Sequence, residues 1–144
     1  MQINQLIYQS SATIATTPHQ LQQLLPAWRA SNHSAGISGL LLYGEESIMQ
    51  ILEGEADKVH ELYQLIACDL RHFNVQTLAD GFVPRRAFSQ WSMGFVQLDA
   101  PEMAKLTGYV SPAQPAGLLP DQPQHWPELL ELLQEFAVRE RQLH

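Results

Sequence analysis

The chain has little of what most enzyme classes and most anchored or secreted proteins display. It holds one cysteine, Cys68, in 144 residues. A single thiol makes no internal disulfide and leaves a cysteine-rich metal site without its other ligands. That usage fits a reducing cytoplasm. Cationic side chains are scarce: 8 Lys and Arg stand against 15 Asp and Glu, for a net charge of -7. An acidic chain has no general attraction for nucleic acid or for an anionic membrane, although one local arginine cluster would suffice for a phosphate ligand. No apolar run reaches the roughly 18 residues of a bilayer span. The opening Met1-Gln2-Ile3-Asn4-Gln5 lacks the basic-then-apolar pattern of a secretory leader. Internal repeats and low-complexity tracts are missing. So are a glycine-rich phosphate loop, a zinc-protease pattern and a nucleophile elbow. The six histidines sit at spacings that match no metal site, and Cys68 lies beside Asp69 with no activating base.

What is present describes one ordinary folded domain, with 45% hydrophobic residues. Ile3 to Tyr8 reads as a strand. Thr17-Pro18-His19-Gln20 is a helix start: a capping threonine, proline at the first helical position and glutamine closing a capping box. Leu21, Leu24, Leu25 and Trp28 then share one helical face, and the helix is expected to end before Ser31-Asn32-His33-Ser34. Ile37 to Tyr43 is apolar on both faces, as in a central strand. Ser47 to Leu52 follows as a strand with Ile48, Gln50 and Leu52 on one face. A second helix is expected from Ala56 to Leu70, with Val59, Leu62, Tyr63, Ile66 and Leu70 as its stripe. Val75 to Leu78 and Trp91 to Leu98 complete the strands. The order β-α-β-β-α-β plus one strand is that of an α+β ferredoxin-like sandwich: a mixed five-stranded sheet with two helices on one face. Residues 1–98 form this domain. Residues 99–144 form a proline-rich segment and a C-terminal helix from Pro127, capping the sheet or meeting a second subunit.

Several residues invite a functional reading beside a structural one. Gln50 sits between apolar neighbours on a strand face, where an unpaired amide is costly. A local structural bond or an edge position would also explain it. Tyr8 ends the first strand as an ordinary core tyrosine or as a partner of Gln50. Arg71 and His72 are either cations at a helix C-terminus or contacts to a ligand phosphate. Trp91 and Met93 alternate on the last strand as core residues, and Asn32 follows a helix, where asparagine is common for backbone reasons. The residues alone establish a soluble α+β domain without the marks of an enzyme.

Their local strings carry more. Leu6-Ile7-Tyr8, Gly36-Ile37-Ser38-Gly39-Leu40-Leu41, Gln50-Ile51-Leu52-Glu53-Gly54, Asp69-Leu70-Arg71-His72 and Phe88-Ser89-Gln90-Trp91-Ser92-Met93-Gly94 occur in this order over residues 1–98. Together they resemble the BLUF family of blue-light sensors using FAD, in its short stand-alone form. The resemblance implies a flavin between the two helices. It implies that Tyr8 donates an electron and proton under light and that Gln50 bridges tyrosine and flavin. Asn32 would bond the pyrimidine edge of the ring. Asp69, Arg71 and His72 would lie near the flavin, and Trp91 and Met93 would relay the glutamine's change. The implied output is a red-shifted signalling state, formed as Gln50 rearranges its hydrogen bonds, that modulates a downstream signalling protein. A homo-oligomer is expected, with no nucleic acid, membrane or metal partner and no enzymatic turnover. Two features depart from the pattern. Ser31 stands where many relatives carry a first asparagine, and Leu65 where some carry a cation, which bears on FAD against FMN. The alternative reading is a non-photoactive ferredoxin-like interaction module; a small flavin enzyme is a third.

Overall fold

A computed structural model describes residues 3–13, 16–44, 46–89 and 92–99, with single positions at 101, 131 and 135. Trp91, nearly all of the proline-rich segment and the helix expected from Pro127 lie outside the described residues. Chain order runs β1 (Ile3–Ala12), α1 (Pro18–Ala35), β2 (Ser38–Gly44), β3 (Ser47–Gly54), α2 (Ala56–Ala67), β4 (His72–Val83) and β5 (Gly94–Gln97). The strands form one sheet in the order β4-β1-β3-β2-β5. The β1–β3, β1–β4 and β2–β3 pairs are antiparallel, while β2–β5 is parallel. This is the mixed five-stranded ferredoxin-like sheet read from the sequence.

Both helices pack on one face. Leu21 and Leu25 of α1 and Val59 of α2 join a single cluster with Leu6, Tyr8, Leu41, Tyr43, Ile48 and Leu52. Successive strand residues alternate between faces, so Ile7, Leu40, Leu42, Met49 and Ile51 point the other way, and they too are fully buried. Two-sided burial explains why β2 reads as an unbroken apolar run.

Helix α1 starts as its sequence dictates. The Thr17 hydroxyl accepts from the Gln20 backbone at 3.2 Å, and the Gln20 side chain accepts from the Thr17 backbone at 3.4 Å. Its end differs from the expectation. The helix runs through Ser31 and Asn32 to Ala35 and stops at Gly36, whose φ of 71° closes a left-handed cap on the Asn32 and His33 carbonyls. Asn32 is therefore a helical residue near the last turn, and its buried side chain is aimed by the helix.

Other bounds move for identifiable reasons. Helix α2 stops at Ala67, so the 3.6-residue period no longer applies at Leu70, which is 90% exposed instead of belonging to the apolar stripe. Strand β4 is three times the expected length and starts at His72. Register shifts opposite Ile7/Tyr8 and Gln9/Ser11, with Asn74 at φ 57°, break its alternation. Strand β5 begins at Gly94, so Met93 precedes the strand.

Gly39 lies where β2 crosses closest to β3: a Cβ there would sit 1.9 Å from the Ile51 carbonyl oxygen. The Gly39→Ala variant should lose roughly 3 kcal/mol, the upper end of the usual overpacking cost, read from its denaturant midpoint. A wild-type midpoint would mean the strands separate freely.

Candidate functional site

The site begins with strand register. In the antiparallel β1–β3 pair, Tyr8 lies directly opposite Gln50. Directly opposed residues project on the same face with Cβ atoms in reach of each other. Here that face is the one beneath the helices. The Tyr8 hydroxyl donates to Gln50 Oε1, and Gln50 Nε2 meets Met93 Sδ at 3.3 Å. Gln50 is 7% exposed, and Tyr8 and Met93 are more buried still. The reversed amide would turn its oxygen toward the lone pairs of the thioether. The arrangement seen therefore satisfies both ends of the amide, and the flipped one satisfies only the tyrosine end. The balance depends on what faces the Nε2 group.

Burial pushes the Tyr8 hydroxyl well above its ordinary tyrosine value, and the nearby Tyr63 and Asp69 add to the effect. Tyr8 stays neutral and remains a hydrogen-bond donor. Its ring is held between Tyr63, at 5.4 Å between centroids and 36° interplanar, and His72, at 6.0 Å and 74°. These spacings suit offset and edge-on aromatic contact. Tyr63 is steadied in turn by Thr77, 2.7 Å from its hydroxyl.

A cavity of about 200 Å³ opens beside the Tyr8–Gln50 pair. Leu21 of α1, Leu62 and Ile66 of α2, and Leu41 and Ile48 of the sheet give it apolar walls. Polar groups converge at its margins: Asn32, Gln50, Asp69, Arg71 and His72. Apolar walls with a few placed polar groups are what a flat aromatic ligand requires. The cavity brings together Tyr8, Asn32, Gln50, Asp69, Arg71, His72 and Met93, every site residue expected from the sequence except Trp91, which lies outside the described residues.

Each polar group has a defined state. His72 receives Ser10 Oγ at 2.7 Å on Nδ1 and lies 2.6 Å from the Ile66 carbonyl through Nε2. A carbonyl only accepts, so Nε2 carries a proton and donates it to the Ile66 oxygen. His72 thus also ties down the end of α2. Arg71 pairs with Asp69, both partly exposed, and such a pair adds little stability in water. Its backbone carbonyl accepts from the Thr13 backbone at 3.0 Å and from Thr16 Oγ1 at 2.8 Å. Asn32 Nδ2 donates to the Ser92 carbonyl at 3.0 Å, which leaves its oxygen to accept from a ligand.

Sequence reasoning missed Arg29 and Tyr63. Arg29 Nε donates to the Met93 carbonyl at 2.8 Å. Its position one turn before Asn32 was the available signal, since residues at i and i+3 share a helix face. Tyr63 was assigned to the α2 stripe without regard to what lay beneath it. Among the described residues, no cluster could hold a metal ion and no helix is long and apolar enough to cross a membrane.

Comparison with known proteins follows the same lines. The profile of BLUF, "Sensors of blue-light using FAD", matches residues 3–94. The chain is 27% identical over 93 residues to the "Blue light- and temperature-regulated antirepressor BluF" of Escherichia coli (strain K12), covering 65% of this chain and 23% of that protein. It therefore spans about a quarter of that relative. Among solved structures, "BlsA photo-activated state" superposes with a TM-score of 0.72 at 27% identity, over 94% of this chain and 95% of the other. The structure "BlrB - a BLUF protein, dark state structure" gives 0.70 at 25% identity, over 96% and 97%.

The raised Tyr8 value has a measurable sign. An unfolded tyrosine ionises near pH 10, whereas Tyr8 in the fold resists. Stability should be unaffected by Tyr8 below that pH and fall as pH rises above it, because only the unfolded state releases the proton. In an alkaline ultraviolet titration Tyr8 should ionise only as the domain unfolds, and the Tyr8→Phe variant should lose that coupled step. A Tyr8 that titrates near 10 in the folded protein would contradict its burial.

Proposed function

The chain belongs to the BLUF family, sensors of blue light that use FAD, and from that premise we propose that it is a photoreceptor whose Tyr8–Gln50 pair converts light into a change of hydrogen bonding read by a protein partner. The observation that carries the reading is the buried relay itself. A tyrosine hydroxyl, a glutamine amide and a methionine sulfur form one line at the wall of a cavity of suitable chemistry.

The residues present fit the flavin. The apolar faces of Leu21, Ile48, Leu62 and Ile66 suit its ring system, the Asn32 oxygen offers an acceptor, and Arg71 marks the end suited to ribityl or phosphate groups. Bound FAD supplies the blue absorption and a strong acceptor for one electron. The protein does the rest. With FAD bound, Tyr8 would be placed to give up an electron, and its hydroxyl proton would move toward the Gln50 oxygen on which the hydroxyl already rests. Electron and proton would both return to Tyr8, leaving the Gln50 amide with its donor and acceptor ends exchanged. Glutamine can do this without backbone movement because both ends of the amide bond. Burial keeps water from competing at either end. Met93 then loses its amide partner, and the change reaches β5, which begins at the next residue.

The output in this reading is a population shift that a protein partner distinguishes. The E. coli relative, named as a light-regulated antirepressor, supports output through protein association. The chain itself turns nothing over.

The test is an absorption spectrum of the FAD-loaded protein in the dark and after a blue flash. The flavin band should shift to the red and return in darkness. Tyr8→Phe should abolish the shift while leaving FAD bound. Asn32→Ala should weaken FAD binding by about tenfold or less, the value of one hydrogen bond of roughly 1 kcal/mol. Bound flavin with no reversible shift, or a Tyr8→Phe variant that cycles like the wild type, would sink the mechanism. Failure to take up FAD would favour an interaction module.

A further inference from the structure

Glu53 is the one fully buried carboxylate among the described residues, and the mechanism above gives it no role. It lies on β3, three residues beyond Gln50, and so projects from the opposite face of the sheet. Four donors meet it. Gln5 Nε2 reaches Oε2 at 2.8 Å, Ser38 Oγ reaches Oε1 at 3.3 Å, and the backbone N–H groups of Ala87 and Phe88 reach Oε2 and Oε1 at 2.7 and 2.9 Å. A charged acceptor bonded to consecutive backbone amides is a strong and directional anchor. Arg86 closes over it from outside, donating to Ser38 Oγ at 2.9 Å, to the Glu53 carbonyl at 3.0 Å and to the Gly36 carbonyl at 2.7 Å.

What Glu53 anchors is the connection from β4 to β5. That connection has no strand or helix of its own over its described residues. A segment outside regular structure has no ladder to pair its backbone groups, so side chains that bond them contribute to its order. Glu53 supplies it at one end, where Phe88 is driven into the core. At the other end, Asn32 and Arg29 hold the Ser92 and Met93 carbonyls. Met93, the partner of the Gln50 amide, thus lies at the end of a ten-residue connection, 84–93, that is clamped at two places. One clamp is part of the flavin cavity. The other is on the far side of the sheet, on the strand that carries Gln50.

We propose that Glu53 is a positioning residue for the photochemical relay: by fixing the 86–88 backbone it seats Met93 Sδ against Gln50, and so sets the lifetime of the lit state from the face of the sheet opposite the cavity. It acts through Met93 and touches neither Tyr8 nor the flavin. The part about lifetime rests on the photoreceptor reading; the part about the seat of Met93 does not.

The Glu53→Gln variant tests it, because the amide keeps the shape of the carboxylate but turns a donor toward one of the Ala87 and Phe88 N–H groups, which bond different oxygens. Two quantities are measured on the FAD-loaded protein: the methyl NMR signal of Met93 in the dark, and the rate of dark recovery after a blue flash. The Met93 signal should move. A loosened Met93 lowers the barrier to return of the Gln50 amide, so recovery should accelerate by roughly tenfold or more, the scale of one charge-assisted bond. A Leu42→Val variant, which thins the same far-face core without touching the clamp, controls for stability. It should lower the melting temperature and leave both readouts at wild type. An unmoved Met93 signal, or a moved signal with wild-type recovery, overturns the proposal; so does an equal response in Leu42→Val. Should Glu53→Gln fail to fold, Arg86→Ala removes the outer layer alone and is judged by the same two readouts. If the wild type shows no reversible shift, the photoreceptor reading falls, and the Met93 signal still decides whether Glu53 seats that residue.

Discussion

The structure turns on a buried amide that must be satisfied at both ends. Gln50 projects from the middle of a five-stranded sheet into the space beneath two helices, where solvent cannot serve it. Left unpaired there, each end would cost about 1–3 kcal/mol. Tyr8 meets one end because β1 and β3 are paired in that register, and Met93 meets the other because the β4–β5 connection delivers it there. The two bonds are unequal. A phenol is a good donor to a carbonyl oxygen, while a thioether is a weak acceptor for an amide. An amide held firmly at one end and weakly at the other is a suitable element for a switch, since a better acceptor can compete for the weak end at small cost.

The surrounding structure keeps this element dry and in place. The sheet is apolar on both faces at its centre, so β1, β3 and β2 form a rigid floor. Tyr63 and His72 confine the Tyr8 ring, and Thr77, Ser10 and the end of α2 hold those two in turn. Burial raises the cost of ionising Tyr8, which keeps its proton available to Gln50. Helix α1 serves both the cavity and the Tyr8–Gln50–Met93 contacts. Its last turns present Asn32 to the cavity, and the same turns hold the carbonyls on either side of the Ser92–Met93 bond. A ligand that engages Asn32 thereby bears on the seat of Met93.

Strand β3 has two jobs because its faces differ. Gln50 points to the helices, and Glu53 points away into a polar knot with Gln5, Ser38 and Arg86. One position in this knot is incomplete: Gln5 Oε1 is buried with no partner. Both faces of β3 therefore bear on one connection, the first through the Met93 side chain and the second through the Ala87–Phe88 backbone. Edge strand β4 contrasts with this centre. It is bulged, with Phe73 and Phe82 exposed, and contributes to the cavity through His72 at its start.

Local rules determined a good part of this. The capping box of α1, the both-face burial of β2, the alternation around Gln50 and the β-α-β-β-α-β order all follow from periodicity and turn chemistry acting over a few residues. The strings from Leu6 to Gly94 carried the family and its candidate residues. What local rules could not set is anything that depends on pairing across the chain. The register that puts Tyr8 opposite Gln50 joins residues 42 apart, and no period in either strand specifies it. The extension of α1 through Asn32 was decided by the left-handed cap at Gly36, and the bulges of β4 hid most of that strand from an alternation test. Glu53 had no legible role, and Arg29 only its spacing to Asn32, because a charged residue in a strand or helix looks solvated until the segment it holds is folded against it. Tertiary structure alone supplied the donors that make burying Glu53 favourable, from β1, β2 and the β4–β5 connection, and the carbonyl that Arg29 meets, since all of these groups come from segments distant in sequence.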